Sequence, residues 1–204
     1  MIEILEFLAA PFFMCLILVG IHCYLGLHVL RRGVIFVDLS LAQVASLGST
    51  VALLFKFEHH SSGSYFISLI FTLIASLYFA WIKKYEKQIS QEVMIAIVYA
   101  FAGSAVILVV NSMSHGAEHI KEILIGKILW VSFEDVLKTL VIYSLVALVH
   151  YVFREKLLDA SEGKLKEKSL FWDFLFYALF GVVITSSVGM AGILLVFSFL
   201  VVPA

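Results

Sequence analysis

The stretch FLAAPFFMCLILVGIHCYLGLHVL, residues 7–30, contains no Asp, Glu, Lys or Arg and is closed by Arg31 and Arg32. As a helix rising 1.5 Å per residue it spans about 36 Å, enough to cross a hydrocarbon core of about 30 Å. Further apolar segments follow at 33–55, 65–82, 92–113, 133–153, 171–188 and 189–204, the fifth preceded by a short apolar stretch at 123–131. The start, Met1-Ile2-Glu3-Ile4-Leu5-Glu6, lacks the basic residues of a secretory signal, so the first segment reads as a true span. Pro11 falls near its first turn, where a missing N–H is tolerated.

Composition points the same way. Of 204 residues, 62% are hydrophobic and only 14% charged, where a soluble domain carries about 25% charged residues. A soluble globular domain and a disordered chain are both excluded. A net charge of −1 argues against nucleic acid as a partner. The expected fold is an all-α polytopic membrane bundle of about seven spans, forming one transmembrane domain over residues 1–204.

Charge sets the orientation. Arg31 and Arg32 follow the first segment; Lys83, Lys84 and Lys87 the third; Arg154, Lys156, Lys164, Lys166 and Lys168 the fifth. These loops hold ten of the fourteen basic residues, and the positive-inside rule places them in the cytoplasm. The N-terminus then lies outside, as do the loops after the second and fourth segments. Those outer loops carry His59, His60, His115 and His119, with Glu58, Glu118 and Glu122 beside them. Imidazole and carboxylate together suit zinc, manganese or iron, and a plain polar loop is the alternative.

Ionisable groups inside a bilayer are costly and mark pathways or paired sites. Asp38 is the most informative. At 100° per residue, Asp38, Ala42, Ala45 and Ser49 share one helix face, an acidic group followed by small side chains that leave room for a path. The competing reading is an ion pair between Asp38 and Arg31 or Arg32. His22 lies deep in the first segment and is either a buried neutral imidazole or a metal ligand. Glu92 opens the fourth segment, where a carboxylate suits a helix N-terminus. Cys15 and Cys23 are more than two turns apart on one helix and cannot bridge each other.

His115-Gly116-Ala117-Glu118-His119 matches H-x-x-E-H, an inverted zinc-peptidase pattern, so a membrane-tethered peptidase is an alternative function. No phosphate-binding loop is present: Gly126-Lys127 is followed by Ile128, and Gly163-Lys164 by Leu165. Any ATP hydrolysis belongs to another chain.

Four stretches, in order, resemble the permeases of zinc/manganese/iron-type ATP-binding-cassette transporters. They are the run from Arg31 to Gly48, the run Gln91 to Ala100, Ile123 to Val131 with Gly126 at its centre, and Val188 to Val196 continuing to Val202-Pro203-Ala204. The resemblance implies a permease subunit with no cofactor of its own. It would carry a divalent metal, zinc first, with manganese or iron behind it. Implied partners are cytoplasmic ATP-binding-cassette ATPases, an extracytoplasmic metal-binding protein and a second permease copy in a bacterial cell (inner) membrane. It implies Asp38 as a pathway ligand. The family's histidine four residues on is replaced by Ala42, or by Gln43 if Gly48 anchors the match, and His22 is the candidate to supply the missing nitrogen. The loop 154–169 corresponds to the ATPase-coupling segment, with Leu157, Leu158 and Leu165 as its apolar patch. Family permeases continue for at least one span beyond the Pro-Ala, so the resemblance also implies that final helices are lacking. A truncated, non-transporting remnant is the remaining alternative.

Overall fold

The computed structural model describes residues 2–58, 61–113, 116–165 and 169–203. Its helices are α1 (Ile2–Arg32), α2 (Val37–Leu54), α3 (Ser62–Ile82), α4 (Gln91–Val110), α5 (Gly116–Ile125), α6 (Phe133–Val152), α7 (Arg154–Ser161) and α8 (Ser169–Val201). No strand occurs among the described residues. Six of these helices, all but the short α5 and α7, are long and apolar enough to cross a membrane. Pro11 lies well inside α1, because the helix already begins at Ile2.

The helix ends follow local chemistry. The Ser61 hydroxyl accepts from the Ser64 amide at 3.2 Å and starts α3. Ser132 and Asp135 form a reciprocal capping box at the start of α6. At the start of α2 stands Phe36, which has no side-chain acceptor to offer. There the Phe36 amide donates instead to Glu92 Oε1, at 3.1 Å, from α4.

Six apolar helices, rather than about seven, come from what happens in α8. Gly192 has φ 75° and ψ 162°, so the helix breaks there into limbs 169–191 and 193–201. Asp173 in the first limb pairs with Arg32, and Ser187 lies against His22, so this limb runs antiparallel to α1. A straight continuation would carry Pro203 about 24 Å beyond Ser187. Instead the Pro203 carbonyl lies 3.8 Å from Cys23 Sγ, one residue from His22. The chain folds back at Gly192, and the expected sixth and seventh segments are the two limbs.

That break is clasped from the side. Gly126, with φ 71°, packs backbone to backbone on Gly192, and the Lys127 amide donates to the Met190 carbonyl at 2.8 Å. A broken membrane helix requires such an outside partner for its freed backbone groups. A Cβ on Gly126 would stand 2.3 Å from the Ala191 carbonyl carbon, and one on Gly192 would stand 2.5 Å from the Gly126 nitrogen. Elsewhere small residues also set the helix approach. Gly48 of α2 abuts the Ser68 backbone of α3, Gly181 of α8 abuts Thr72, and the Thr72 and Thr185 hydroxyls bond at 3.0 Å.

The opposite end is pinned by charge. Asp173 is 1% exposed and receives Arg32 at 2.5 Å and Lys83 at 2.9 Å. The Arg32 guanidinium lies 4.2 Å over the Phe176 ring and donates through Nε to Ser161 Oγ at 3.1 Å. Lys83 also donates to the Ala160 carbonyl at 3.0 Å, and His28 Nδ1 meets Ser161 Oγ at 2.9 Å. Thus α1, α3, α7 and α8 are tied at one point, and residues of all three basic loops meet there. The cytoplasmic end of the sequence reading is one physical end of the bundle.

Two outcomes follow. Asp173→Asn leaves the buried Arg32 and the half-buried Lys83 without a counter-charge and should destabilise the chain by about 3–5 kcal/mol; adding Arg32→Gln should restore part of the loss of thermal unfolding midpoint in nanodiscs. Gly192→Ala puts a side chain on a backbone conformation, φ 75° and ψ 162°, that only glycine adopts readily, and adds a backbone clash, together costing about 2–6 kcal/mol. Gly163→Ala, at φ 68° but in open space, should cost only about 1–2 kcal/mol in the same melt.

Candidate functional site

The small-residue face of α2 is where polar groups, space and burial coincide. At its outer end lies a cavity of about 550 Å³ between α2, α3, α5, α6 and α8. Its floor against α2 is Ala45, Ser46 and Ser49; its walls carry the hydroxyls of Ser68, Thr185 and Ser186, with His119 and Glu122 from α5. Ala42 continues the face inward at 2% exposure, and Asp38 follows at 1%. Asp38 lies seven residues below Ala45, about 10 Å along the helix. The shared face expected for Asp38, Ala42, Ala45 and Ser49 is therefore present: its outer half lines the cavity and its inner half is buried.

Asp38 is not held by the arginines. Arg32 is committed to Asp173, and Arg31 reaches Glu162 at 3.8 Å. Neither carboxylate oxygen of Asp38 closes a well-formed hydrogen bond, although the first-turn amides of Asp38 and Leu39 lie beside them. The nearby acid is Glu92 of α4, which accepts from the Phe36 amide two residues before Asp38. Glu92 Oε1 takes the Phe36 amide, and its Oε2 is buried without a hydrogen bond. Sequence reasoning placed Glu92 as a local cap of α4. Its actual contact is with the start of α2, a non-local pairing that only the packed bundle reveals.

His22 is fully buried, with Nδ1 at 2.8 Å from the Leu18 carbonyl and Nε2 at 3.3 Å from Ser187 Oγ. Both ring nitrogens are engaged between α1 and α8. Ala42 is the residue stacked on the Asp38 face, while Gln43 turns toward Gly103 of α4.

At the outer mouth, His119 is 6% exposed and its Nε2 lies 3.0 Å from Thr50 Oγ1 of α2. Glu118, next in sequence, is exposed, so the two side chains of the H-x-x-E-H pattern occupy different environments. His59, His60 and His115 lie outside the described residues. Among the described residues no group of three or more His, Cys, Asp or Glu side chains gathers in a metal-holding arrangement.

On the cytoplasmic side, the segment expected to couple to an ATPase begins with the eight-residue helix α7. Leu157 is 0% exposed and packs into the bundle core, so it anchors α7 instead of facing the cytoplasm. Leu158 and Leu165 are half-buried, and the exposed face carries Arg154, Glu155 and Lys156. Beyond it, Lys164 hydrogen-bonds Glu162 and holds that carboxyl below the ordinary range.

Residues 5–204 match the family model described as the ABC 3 transport family. Among solved structures, PsaBC from Streptococcus pneumoniae in complex with Fab shares the fold, with a TM-score of 0.75 at 19% identity, over 98% of this chain and 72% of that one. Comparison with curated proteins gave no match. Matched by the family model over nearly its whole length, this bundle of apolar helices belongs to the ABC 3 transport family and is a multi-pass permease of the bacterial cell membrane.

Proposed function

We propose that the chain is the membrane-spanning subunit of an ATP-driven importer for a divalent transition metal. Zinc, manganese and iron are the candidate cargoes, with zinc favoured by the imidazole of His119 at the outer mouth. The ion would be received from an extracytoplasmic binding protein, with a second permease copy alongside and separate ATPase subunits docking at α7. Nucleotide can drive the cycle only by binding differently to the outward and inward states.

The observation that carries this reading is Asp38. It is a buried carboxylate at the inner end of a small-residue face that begins in an outer cavity, and both nearby arginines are spent on other acids. A buried carboxyl with no cation beside it is expensive to keep ionised, a cost that a bound divalent ion would offset. His22 is a weaker pathway candidate, because ligation would displace its bond to Leu18 or Ser187. The charged face of α7, more than its leucines, is what an ATPase would meet.

The test is reconstitution of the permease in lipid vesicles with its ATPase and binding protein. Metal-loaded binding protein should stimulate ATP hydrolysis, and Asp38→Ala should return the rate to the basal level while leaving the assembled complex intact by size exclusion. Full stimulation in Asp38→Ala would place the route away from this residue. Assembly without stimulation in either form would mean that the chain does not import metal.

A further inference from the structure

We infer that the outer cavity of about 550 Å³ receives a divalent cation with its water shell intact, held through those waters by hydroxyl lone pairs in the cavity lining. This rests on the metal-permease reading and names the form in which the cargo enters.

The direction of the hydroxyl protons carries the argument. Ser49, Thr185 and Ser186 line the cavity. Each has one O–H to give, and each gives it to the protein. Ser49 donates to the Ser46 carbonyl at 2.9 Å, and Ser186 to a carbonyl of its own helix, Val182 or Val183, at 2.9 Å. The Thr72 proton goes to the Ser68 carbonyl at 2.7 Å, so the 3.0 Å bond between Thr72 and Thr185 takes its proton from Thr185. What these oxygens have left are lone pairs, which accept and cannot donate. Ser46 is 3% exposed and belongs to the same lining, and its hydroxyl oxygen has no hydrogen-bond partner. A buried hydroxyl left unmet costs free energy, and a ligand that meets it removes that cost.

An acceptor lining selects a ligand that presents donors on every side. Water bound to a divalent cation does so, because the ion polarises the O–H bonds and turns them outward. Size agrees. Six waters at about 30 Å³ each fill about 180 Å³, so the hydrated ion enters whole, whereas a bare ion would leave most of the cavity empty. The charged groups of the lining are already engaged: Glu122 with Lys127, Asp135 with Ser132, and Lys138 with Glu134. Among the described residues no three His, Cys, Asp or Glu gather to replace the shell. A grip through water is also weak enough to let the ion go, as a transit site requires.

The probe is hexaamminecobalt(III), whose ammonia ligands do not exchange, so that it binds only through outward N–H donors. Isothermal titration of the full chain in nanodiscs of zwitterionic lipid should show saturable binding, and manganese(II) should displace the probe. Replacing Ser46, Ser49 and Ser186 together by Ala should weaken binding by roughly tenfold or more, because hydrogen bonds to a charged group are lost. Alanine suits a helix, so this variant should melt with the native chain. Ser49→Ala alone should already weaken binding severalfold, which keeps the test sound if the triple variant folds poorly. Asp38→Asn, about 10 Å away along α2, should bind the probe as the native chain does. Manganese(II) binding that the probe neither matches nor disturbs would mean that protein atoms ligate the ion directly. That result would overturn the inference and leave the permease reading standing. Saturable binding of neither ion, probe binding unchanged in the folded serine variants, or probe binding lost in Asp38→Asn would also overturn it. So would displacement by an equal concentration of methylammonium, which would mark an amine site. Probe binding as expected, without metal-stimulated ATP hydrolysis in the reconstituted complex, would instead count against the permease reading alone.

Discussion

The buried contact of Asp173 with Arg32 and Lys83 is the constraint on which the rest of the molecule turns. A carboxylate at 1% exposure in a lipid-embedded bundle persists only when its charge is met. Here two cations meet it, one from the end of α1 and one from the end of α3, and both also reach the last turn of α7. Each cation follows an apolar helix, so the pin fixes which helix ends are neighbours and draws the basic loops to one side. It also removes Arg32 from the reach of Asp38. Neutralising one acid in the bundle is what leaves the other without a cation.

The outer end is held by a different force. There two glycine backbones touch. The break at Gly192 frees the Met190 carbonyl, and the Lys127 amide of the loop after α5 takes it. Because the loop must approach that closely, α5 is drawn over the bundle, and His119 reaches Thr50 of α2. The cavity above the α2 face is therefore a product of the clasp: α5 supplies one wall, and the first limb of α8 supplies another.

Much of this architecture was legible in the chain, for physical reasons. Bilayer thickness sets the length of apolar runs, so the helices could be placed from 7–30 onward. The positive-inside bias exposed the cytoplasmic end, and helical periodicity put Asp38, Ala42, Ala45 and Ser49 on one face. What stayed hidden were pairings between distant residues. The glycines at 126 and 192 stood in two separate stretches, and nothing in either says that they touch. Glu92 read as a cap because an acid at a helix start satisfies a local rule, while its partner, the Phe36 amide, lies 56 residues away. Leu157 looked like part of a docking patch because sequence shows that it is apolar, not which way its helix turns. The fold-back of α8 was read as two segments, correctly in direction, but as separate helices where a single residue's positive φ makes the turn.

Only five residues separate Arg32, fastened to Ser161 at the end of α7, from Asp38. Between them the chain makes one tight turn, with Gly33 at φ 67° and the Phe36 amide fastened to Glu92. A short, doubly anchored turn transmits displacement better than it absorbs it. Any movement of α7 relative to α4 must therefore stretch the Arg32–Ser161 bond, stretch the Phe36–Glu92 bond, or shift the two carboxylates relative to each other. The first two are hydrogen bonds to charged groups, each worth about 1.5–3 kcal/mol. The spacing of two like-charged acids is the softest of the three, so that is where a push on α7 arrives.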